Sequence, residues 1–160
     1  VAQKRFDLAI EVLEKLGDDY ELLIIGDGPF RNDNLDLATQ KCLEDRVIFV
    51  PFNLNPFPIL DTGDYYLITS EFEGLPNSAL EALALGIPVF GFNTTGGLPD
   101  YINEKNGYLV NFGDINSLSK AIQETTLVKS TDISRTINKS LSSEFISQEY
   151  LDALIKLKEG

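Results

Sequence analysis

Five short apolar runs, separated by helical patterns, constrain the fold of this chain most strongly. They cover residues 22–25, 47–50, 65–68, 89–92 and 108–110. Each run is too short for a helix and apolar on both faces, which is typical of strands buried inside a parallel sheet. Their alternation with helices predicts an α/β fold, a Rossmann-like doubly wound parallel sheet in three α/β/α layers. Ligands of such folds bind at the carboxyl ends of the strands.

The segments between these runs predict six or seven helices. The first follows the spacing of Phe6, Ile10 and Leu13, and others are expected near residues 34–42, 56–60, 99–102 and 114–122. We expect residues 1–160 to form a single domain in which residues 126–160 supply the closing helices. Because the chain has no methionine and begins within a helical pattern, we expect it to be a fragment of a longer protein.

Composition excludes several kinds of function. The net charge of −12 argues against nucleic acid and anionic membrane surfaces as partners. The absence of histidine excludes Ser-His-Asp and Cys-His chemistry within this chain. A single cysteine, Cys42, cannot form an intrachain disulfide, and we expect it to be inert packing in a reducing cytoplasm. No apolar run has the length of a membrane span, so we expect no integral membrane segment.

Residues 70–89 read as a strand end, a turn, a helix, a stop and the next strand. Gly74 frees the backbone in the turn, and either Asn77 or Ser78 can cap the helix that follows. Gly86 predicts the end of that helix. The unpaired N–H groups and partial positive charge of a helix start make it a place where phosphate binds.

Two carboxylates bracket this helix start, Glu73 in the turn and Glu81 within the helix, with seven residues between them. Carboxylates repel phosphate but accept hydrogen bonds from hydroxyl groups. A phosphate site with hydroxyl-binding groups on both sides suits a nucleotide sugar, which consists of ribose, diphosphate and sugar. The alternative is an ordinary turn and helix with one solvated and one capping glutamate, which is the usual case for two glutamates at this spacing.

The whole string Glu73–Val89 is more specific than its glutamates. It resembles the E-x7-E motif of the retaining glycosyltransferases of family 4, in the variant E-G-L-P-N-x-x-x-E-A-x-A-x-G-x-P-V. The resemblance implies that Glu73 and Gly74 contact the donor sugar and that Glu81 contacts the ribose. It places the diphosphate near Asn77 and Ser78.

The same resemblance extends to residues on other loops. Lys4 matches a lysine that contacts the diphosphate, with a solvated helix start as the alternative. Gly26 and Gly28, in a G-D-G-P turn, would line the nucleotide cleft. The alternative is a tight turn, whereas a dinucleotide fingerprint fails because its third glycine is missing. Phe52 and Asn53 would lie in the nucleotide cleft, where Phe52 either packs on the base or caps the core.

The loop Asn93–Asp100 is similar to a glycine-bearing loop that lies near the sugar in this family. Here Asp100 replaces the usual glutamate, which leaves its role open. The alternative is a turn whose geometry is set by Gly96 and Gly97.

The resemblance implies the C-terminal, donor-binding half of a GT-B enzyme with two Rossmann-like domains. The full-length protein would be a retaining glycosyltransferase of the hexosyltransferase type. It would take a UDP- or GDP-sugar as donor, and an acceptor glycan, lipid-linked sugar or small molecule would bind to the missing N-terminal domain. No cofactor and no metal are implied, and no two aspartates are spaced as D-x-D.

We expect the fragment itself to bind donor without turnover. The full-length protein is expected to be cytoplasmic, with peripheral membrane attachment as an alternative. A non-catalytic nucleotide-sugar-binding domain and a flavodoxin-like regulatory domain remain open as other functions.

Overall fold

The structure is a computed structural model that describes residues 4–142. In chain order its elements are α1 Phe6–Lys15, β1 Leu22–Ile25, α2 Arg31–Gln40, β2 Val47–Val50, α3 Phe57–Leu60, β3 Tyr66–Ile68, α4 Asn77–Ala84, β4 Val89–Asn93, a 3-10 helix Leu98–Asp100, β5 Gly107–Asn111, α5 Ile115–Glu124 and α6 Thr131–Ser140. All five predicted strands are present, and each alternates with helical structure. The predicted α/β class with Rossmann-like parallel pairing is therefore confirmed.

The strands form two parallel ladders rather than one continuous sheet. β1 pairs with β2, whereas β3, β4 and β5 pair in that order. Within residues 4–142 no strand bonds to both β1 and β3, so α1 joins the ladders by packing instead. Ile10 and Leu13 pack with the first ladder, and Leu8 and Val12 pack with the second. The prediction of a single sheet therefore differs from the structure in the continuity of its hydrogen bonding.

The second ladder has helices on both faces because its side chains alternate in direction. Val89 packs on one side against residues of α4 and α6. Phe90 and Phe92 are buried on the other side with residues of α1 and α5. This arrangement is the three-layer architecture that the apolar runs predict. It also leaves the carboxyl ends of β3 and β4, and the loops that follow them, at one edge of the domain.

The main difference in element boundaries is at α2, which begins at Arg31 and ends at Gln40. Cys42 therefore lies beyond the helix, in a left-handed backbone conformation with φ of 55°. Its side chain is exposed, so the expectation that it is buried packing is wrong. An N–H group of the same turn returns to the helix, because Leu43 donates to the Ala38 carbonyl at 2.8 Å.

The first closing helix is confirmed as α6, Thr131–Ser140, whose N-cap Ser130 accepts a hydrogen bond from the Ile133 N–H. The rest of the predicted closing segment, residues 143–160, lies outside the described residues. Among residues 4–142 there is no helix with the length and apolar character needed to cross a membrane.

Candidate functional site

The N-terminus of α4 carries backbone donors that the protein leaves unused. The helix begins at Asn77, after Pro76 in the N-cap position, and no side chain caps it. The N–H groups of residues 79 and 80 both donate to the Pro76 carbonyl. Within residues 4–142, the N–H groups of Asn77 and Ser78 donate to no acceptor. The predicted cap by Asn77 or Ser78 is therefore wrong, because both residues already belong to the first helical turn.

The end of α4 matches the sequence prediction. Gly86 follows the helix with φ of 82°, a conformation that favours glycine. Its N–H donates to the Leu83 carbonyl at 2.9 Å, and the next N–H, of Ile87, donates to Ala82. A Cβ atom at Gly86 would lie 2.3 Å from the Ser130 carbonyl oxygen, so only glycine lets the loop before α6 approach this closely.

Glu73 lies in the turn before α4 and is paired with a lysine from the start of the chain. The Lys4 Nζ atom donates to the Glu73 carboxylate at 2.6 Å. Burial alone would raise the pKa of Glu73. Hydrogen bonds from Lys4 and Ser70, together with the lysine charge, outweigh burial and hold this pKa below its usual value. Glu73 is therefore ionised at neutral pH.

Glu81 lies one turn further along α4 and is half-buried. Within the described part of the chain it forms no ion pair, and no side-chain hydrogen bond reaches its carboxylate. Its charge and that of Glu73 both act on the phenol of Tyr66, which lies beneath the helix start. The two glutamates of the motif therefore converge on one region, with the free N–H groups of α4 between them in the sequence.

Lys4 is held at this edge by its backbone as well as by its charge. The Thr69 hydroxyl, at the carboxyl end of β3, donates to the Lys4 carbonyl at 3.0 Å. The neighbouring Arg5 pairs with Asp7 instead, at 2.8 Å. Lys4 is thus fixed beside Glu73, and its alternative interpretation as a solvated helix start does not describe this structure.

The turn after β1 and the loop after β2 form a second part of the edge. The Phe52 N–H donates to the Asp27 carboxylate at 2.9 Å and ties the two loops together. A cavity of about 210 Å³ opens beside them and is lined by Lys4, Phe6, Ile24, Ile25, Gly26, Asp27, Gly28, Arg31 and Phe49. The structure therefore brings Gly26 and Gly28 together with Lys4 around one space.

Phe52 and Asn53 lie at the rim of this region. The Phe52 residue is 68% exposed, so it does not cap the core. The Asn53 side-chain oxygen accepts a hydrogen bond from the Asn55 N–H at 2.9 Å, which closes a local turn. Within residues 4–142, no hydrogen bond or ion pair joins these two residues to α4.

The loop Asn93–Asp100 fixes the backbone of Glu73 and Gly74. The Gly97 N–H donates to the Gly74 carbonyl at 2.7 Å. Gly96 has φ of 141°, and a Cβ atom there would lie 1.7 Å from the Glu73 carbonyl oxygen. Gly74 differs, because its φ is not positive and a Cβ atom there would meet open space. The predicted need for backbone freedom at Gly74 is therefore wrong, whereas Gly96 is required by packing.

One polar residue of the site escaped the sequence interpretation. Tyr66 on β3 donates a hydrogen bond from its hydroxyl to the Ser78 Oγ atom at 2.7 Å. The available indication was a phenol hydroxyl within an apolar strand, since a buried hydroxyl needs a partner. The apolar runs were read for their fold, and the partner of this hydroxyl lies 12 residues further along the chain.

Comparison with known families decides the membership of the chain. The family model described as "Glycosyl transferases group 1" matches residues 1–143. The chain belongs to this family. The parallel ladders and the E-x7-E helix described above are consistent with that membership, and the structural neighbours share the α/β fold of GT-B glycosyltransferases.

Three relatives illustrate the similarity. N-acetyl-alpha-D-glucosaminyl L-malate synthase of Bacillus anthracis is 34% identical over 89% of this chain and 40% of its own length. Lipopolysaccharide 1,6-galactosyltransferase of Escherichia coli is 27% identical over 97% of the chain and 44% of its own length. The crystal structure of S. aureus TarM with fondaparinux, alpha-GlcNAc-glycerol and UDP is 27% identical, with a TM-score of 0.82 over 95% of this chain and 33% of TarM. The chain spans less than half the length of these relatives.

Proposed function

We propose that residues 1–160 form the donor-binding domain of a retaining glycosyltransferase that transfers a hexosyl group from a nucleotide-diphosphate sugar. The observation that carries this function is the start of α4, where two N–H groups are unused between Glu73 and Glu81. Anions are stabilised at such a helix start, and hydroxyl groups are stabilised by the two carboxylates. Ionised Glu73 is in the correct state to accept from sugar hydroxyls.

Each part of the donor then has a partner of suitable chemistry. The ribose hydroxyls donate to Glu81, and the diphosphate accepts from the N–H groups of Asn77 and Ser78. Lys4 leaves Glu73 and moves to the diphosphate, which releases Glu73 to the sugar. Gly74 lets the sugar approach the backbone closely, because the space where a Cβ atom would lie is open.

The protein assists the reaction by stabilising charge. When the bond between sugar and diphosphate breaks, negative charge develops on the leaving phosphate oxygen. Fixed N–H groups and a lysine near that oxygen stabilise the charge without reorganising, which lowers the barrier. Positioning donor and acceptor supplies the rest. No step requires a metal ion or a cofactor.

The base is proposed to lie at the first ladder, near Gly26, Gly28, Phe52 and Asn53. An exposed aromatic ring such as that of Phe52 can stack on a base. UDP is the first nucleotide to test because the TarM structure, 27% identical to this chain, contains UDP. GDP is the alternative.

The acceptor is proposed to bind outside this chain, in the remainder of a full-length GT-B enzyme. A glycan, a lipid-linked sugar or a small molecule would each suit such a reaction. The isolated chain should then bind donor without turning it over. The full-length protein is proposed to be cytoplasmic, and peripheral to the membrane if its acceptor is lipid-linked.

The test is a thermal-shift and calorimetric panel with UDP, GDP, ADP and their sugars, on the wild type and Glu81→Gln. A ligand at about one hundred times its Kd stabilises a protein by about 2.7 kcal/mol, a shift of several degrees. We expect one diphosphate to stabilise the wild type and Glu81→Gln to lose most of that shift. Glu124→Gln, on α5, is the matched control and should keep it.

If no nucleotide binds either this chain or the full-length protein at millimolar concentration, the donor site is refuted. If a nucleotide sugar binds but the full-length protein never transfers its sugar, a non-catalytic binding domain is the better description. Product analysis by NMR in the full-length protein tests retention, because the anomeric configuration of donor and product must agree.

A further inference from the structure

Tyr66 is a polar side chain beneath the candidate site to which the proposed reaction assigns no role. Along β3, side chains alternate between the two faces of the ladder. Tyr66 and Ile68 pack towards α4, whereas Tyr65 and Leu67 pack on the opposite face with the α1 and α5 cluster. The Tyr66 hydroxyl thereby reaches the first turn of α4 and donates to the Ser78 Oγ atom at 2.7 Å.

This hydrogen bond determines what the Ser78 hydroxyl can still do. A serine hydroxyl has one proton to donate and two lone pairs that accept. Ser78 uses a lone pair to accept from Tyr66, and its own proton donates to no acceptor among residues 4–142. Burial, followed by the charges of Glu73 and Glu81, raises the pKa of Tyr66, so the phenol keeps the proton that it donates.

The direction of this bond matters for an anionic ligand. The oxygens of an ionised diphosphate only accept hydrogen bonds, so a hydroxyl helps to bind them only when it donates. If Ser78 instead donated to Tyr66, it would present its lone pairs to the phosphate, which is unfavourable. A tyrosine that donates from below leaves the serine proton for the ligand.

We propose that Tyr66 is a positioning residue for the donor substrate, which commits the Ser78 hydroxyl to donate to the diphosphate. Tyr66 does not touch the ligand in this arrangement, and its effect passes through Ser78. The role depends on the proposed donor site at the start of α4. It adds a specific requirement, namely that the effect of Tyr66 on binding disappears when Ser78 lacks its hydroxyl.

The experiment uses four variants of the full chain: Tyr66→Phe, Ser78→Ala, the double variant, and Tyr65→Phe as the matched control. Tyr65→Phe deletes the same hydroxyl from the adjacent residue, on the opposite face of the ladder. Calorimetry measures the Kd of UDP, and chemical-shift titration measures the weaker binding of uridine, which has no phosphate. GDP and guanosine replace them if the wild type prefers GDP.

We expect Ser78→Ala to weaken UDP binding by about tenfold, since hydrogen bonds to charged groups are stronger than neutral ones. Tyr66→Phe should weaken it by about three- to fivefold, because the serine proton is then no longer committed to the ligand. The double variant should match Ser78→Ala. The Kd of uridine should stay the same in every variant, and Tyr65→Phe should bind UDP as the wild type does.

Three results would overturn the role of Tyr66 while leaving the donor site intact. Tyr66→Phe could bind UDP as tightly as the wild type, its effect could multiply with that of Ser78→Ala, or UDP and uridine could weaken equally. The last result would indicate a general loosening of the structure. If the wild type binds no nucleoside diphosphate, the donor site itself fails, and the role of Tyr66 fails with it.

Discussion

The two halves of the candidate site are built differently. At the second ladder, the loops after β3 and β4 interlock, because Gly97 donates to Gly74 and Gly96 packs on the Glu73 carbonyl. At the first ladder, one hydrogen bond, from Phe52 to Asp27, joins the two loops. Leu54 in the same loop is 92% exposed.

This difference indicates a division of tasks. The sugar and diphosphate groups react, so the residues proposed to bind them are held in place before the ligand arrives. The base takes no part in the chemistry, and the loop proposed to bind it can adapt at little cost. A substitution in the second ladder should therefore change stability and binding together, whereas one in the first should change binding alone.

The largest expected effect is that of Gly96→Ala. A Cβ atom at residue 96 collides with the Glu73 carbonyl oxygen, and a φ of 141° is strained for alanine. We expect the free energy of unfolding to fall by roughly 2 to 4 kcal/mol. Chemical denaturation measures this loss, and donor affinity measured below the unfolding transition should fall with it.

A Gly96→Ala variant as stable as the wild type would show that the loop after β4 moves freely, and the contrast between the two halves would then be wrong. Gly17→Ala is the control, because a Cβ atom there meets no atom within 4 Å and the residue lies far from the site in the sequence.

Phe52→Ala should have the opposite profile. Its ring is mostly exposed, so its removal should leave the unfolding free energy within about 0.5 kcal/mol of the wild type. Loss of base stacking should weaken UDP binding by about 1 to 2 kcal/mol. Calorimetry on Phe52→Ala beside Leu54→Ala separates the two exposed side chains, and equal losses in both would argue against a specific stacking role.

Gly74→Ala sharpens the comparison within the second ladder. Because a Cβ atom at Gly74 meets open space and φ is not positive, stability should be unchanged. The added methyl group would occupy the space proposed for the donor sugar, so a UDP-sugar should bind about five- to tenfold more weakly while UDP is unaffected. If UDP weakens equally, the sugar does not lie against Gly74.

The sequence predicts well whatever depends on local pattern, and poorly whatever depends on distant partners. The five strands, α4 and its end at Gly86 follow from apolar runs and glycine chemistry within a few residues. The Lys4–Glu73 pair joins residues 69 positions apart, and the Tyr66–Ser78 bond joins a strand to a helix. No local pattern encodes either contact, although both follow once the ladders are assembled.

The same limit explains the errors. Asn77 and Ser78 are good capping residues by type, but the helix begins one residue earlier than a cap at either position requires, since Pro76 supplies the N-cap. Gly74 and Gly96 look equivalent in the sequence. Only the approach of the two loops distinguishes a glycine required by packing from one that leaves open space.

The smallest expected effect concerns the ion pair that anchors the second ladder to the start of the chain. Glu73 has a pKa below its usual value of 4.5 in the folded protein, so the unfolded chain binds a proton first as the pH falls. The stabilisation from Lys4 is then complete above pH 4.5 and is lost as the pH decreases through the folded-state pKa. Because Lys4 is partly exposed, we expect less than about 1 kcal/mol.

Lys4→Met tests this dependence by denaturation over a pH series. The variant should be less stable than the wild type above pH 4.5, and the difference should shrink towards zero on acidification. Glu73→Gln, which has no proton to gain, should remove the pH dependence of that difference. If the difference between wild type and Lys4→Met is constant from neutral to acid pH, the pair contributes through packing rather than charge. Donor binding would then release Glu73 without an electrostatic cost.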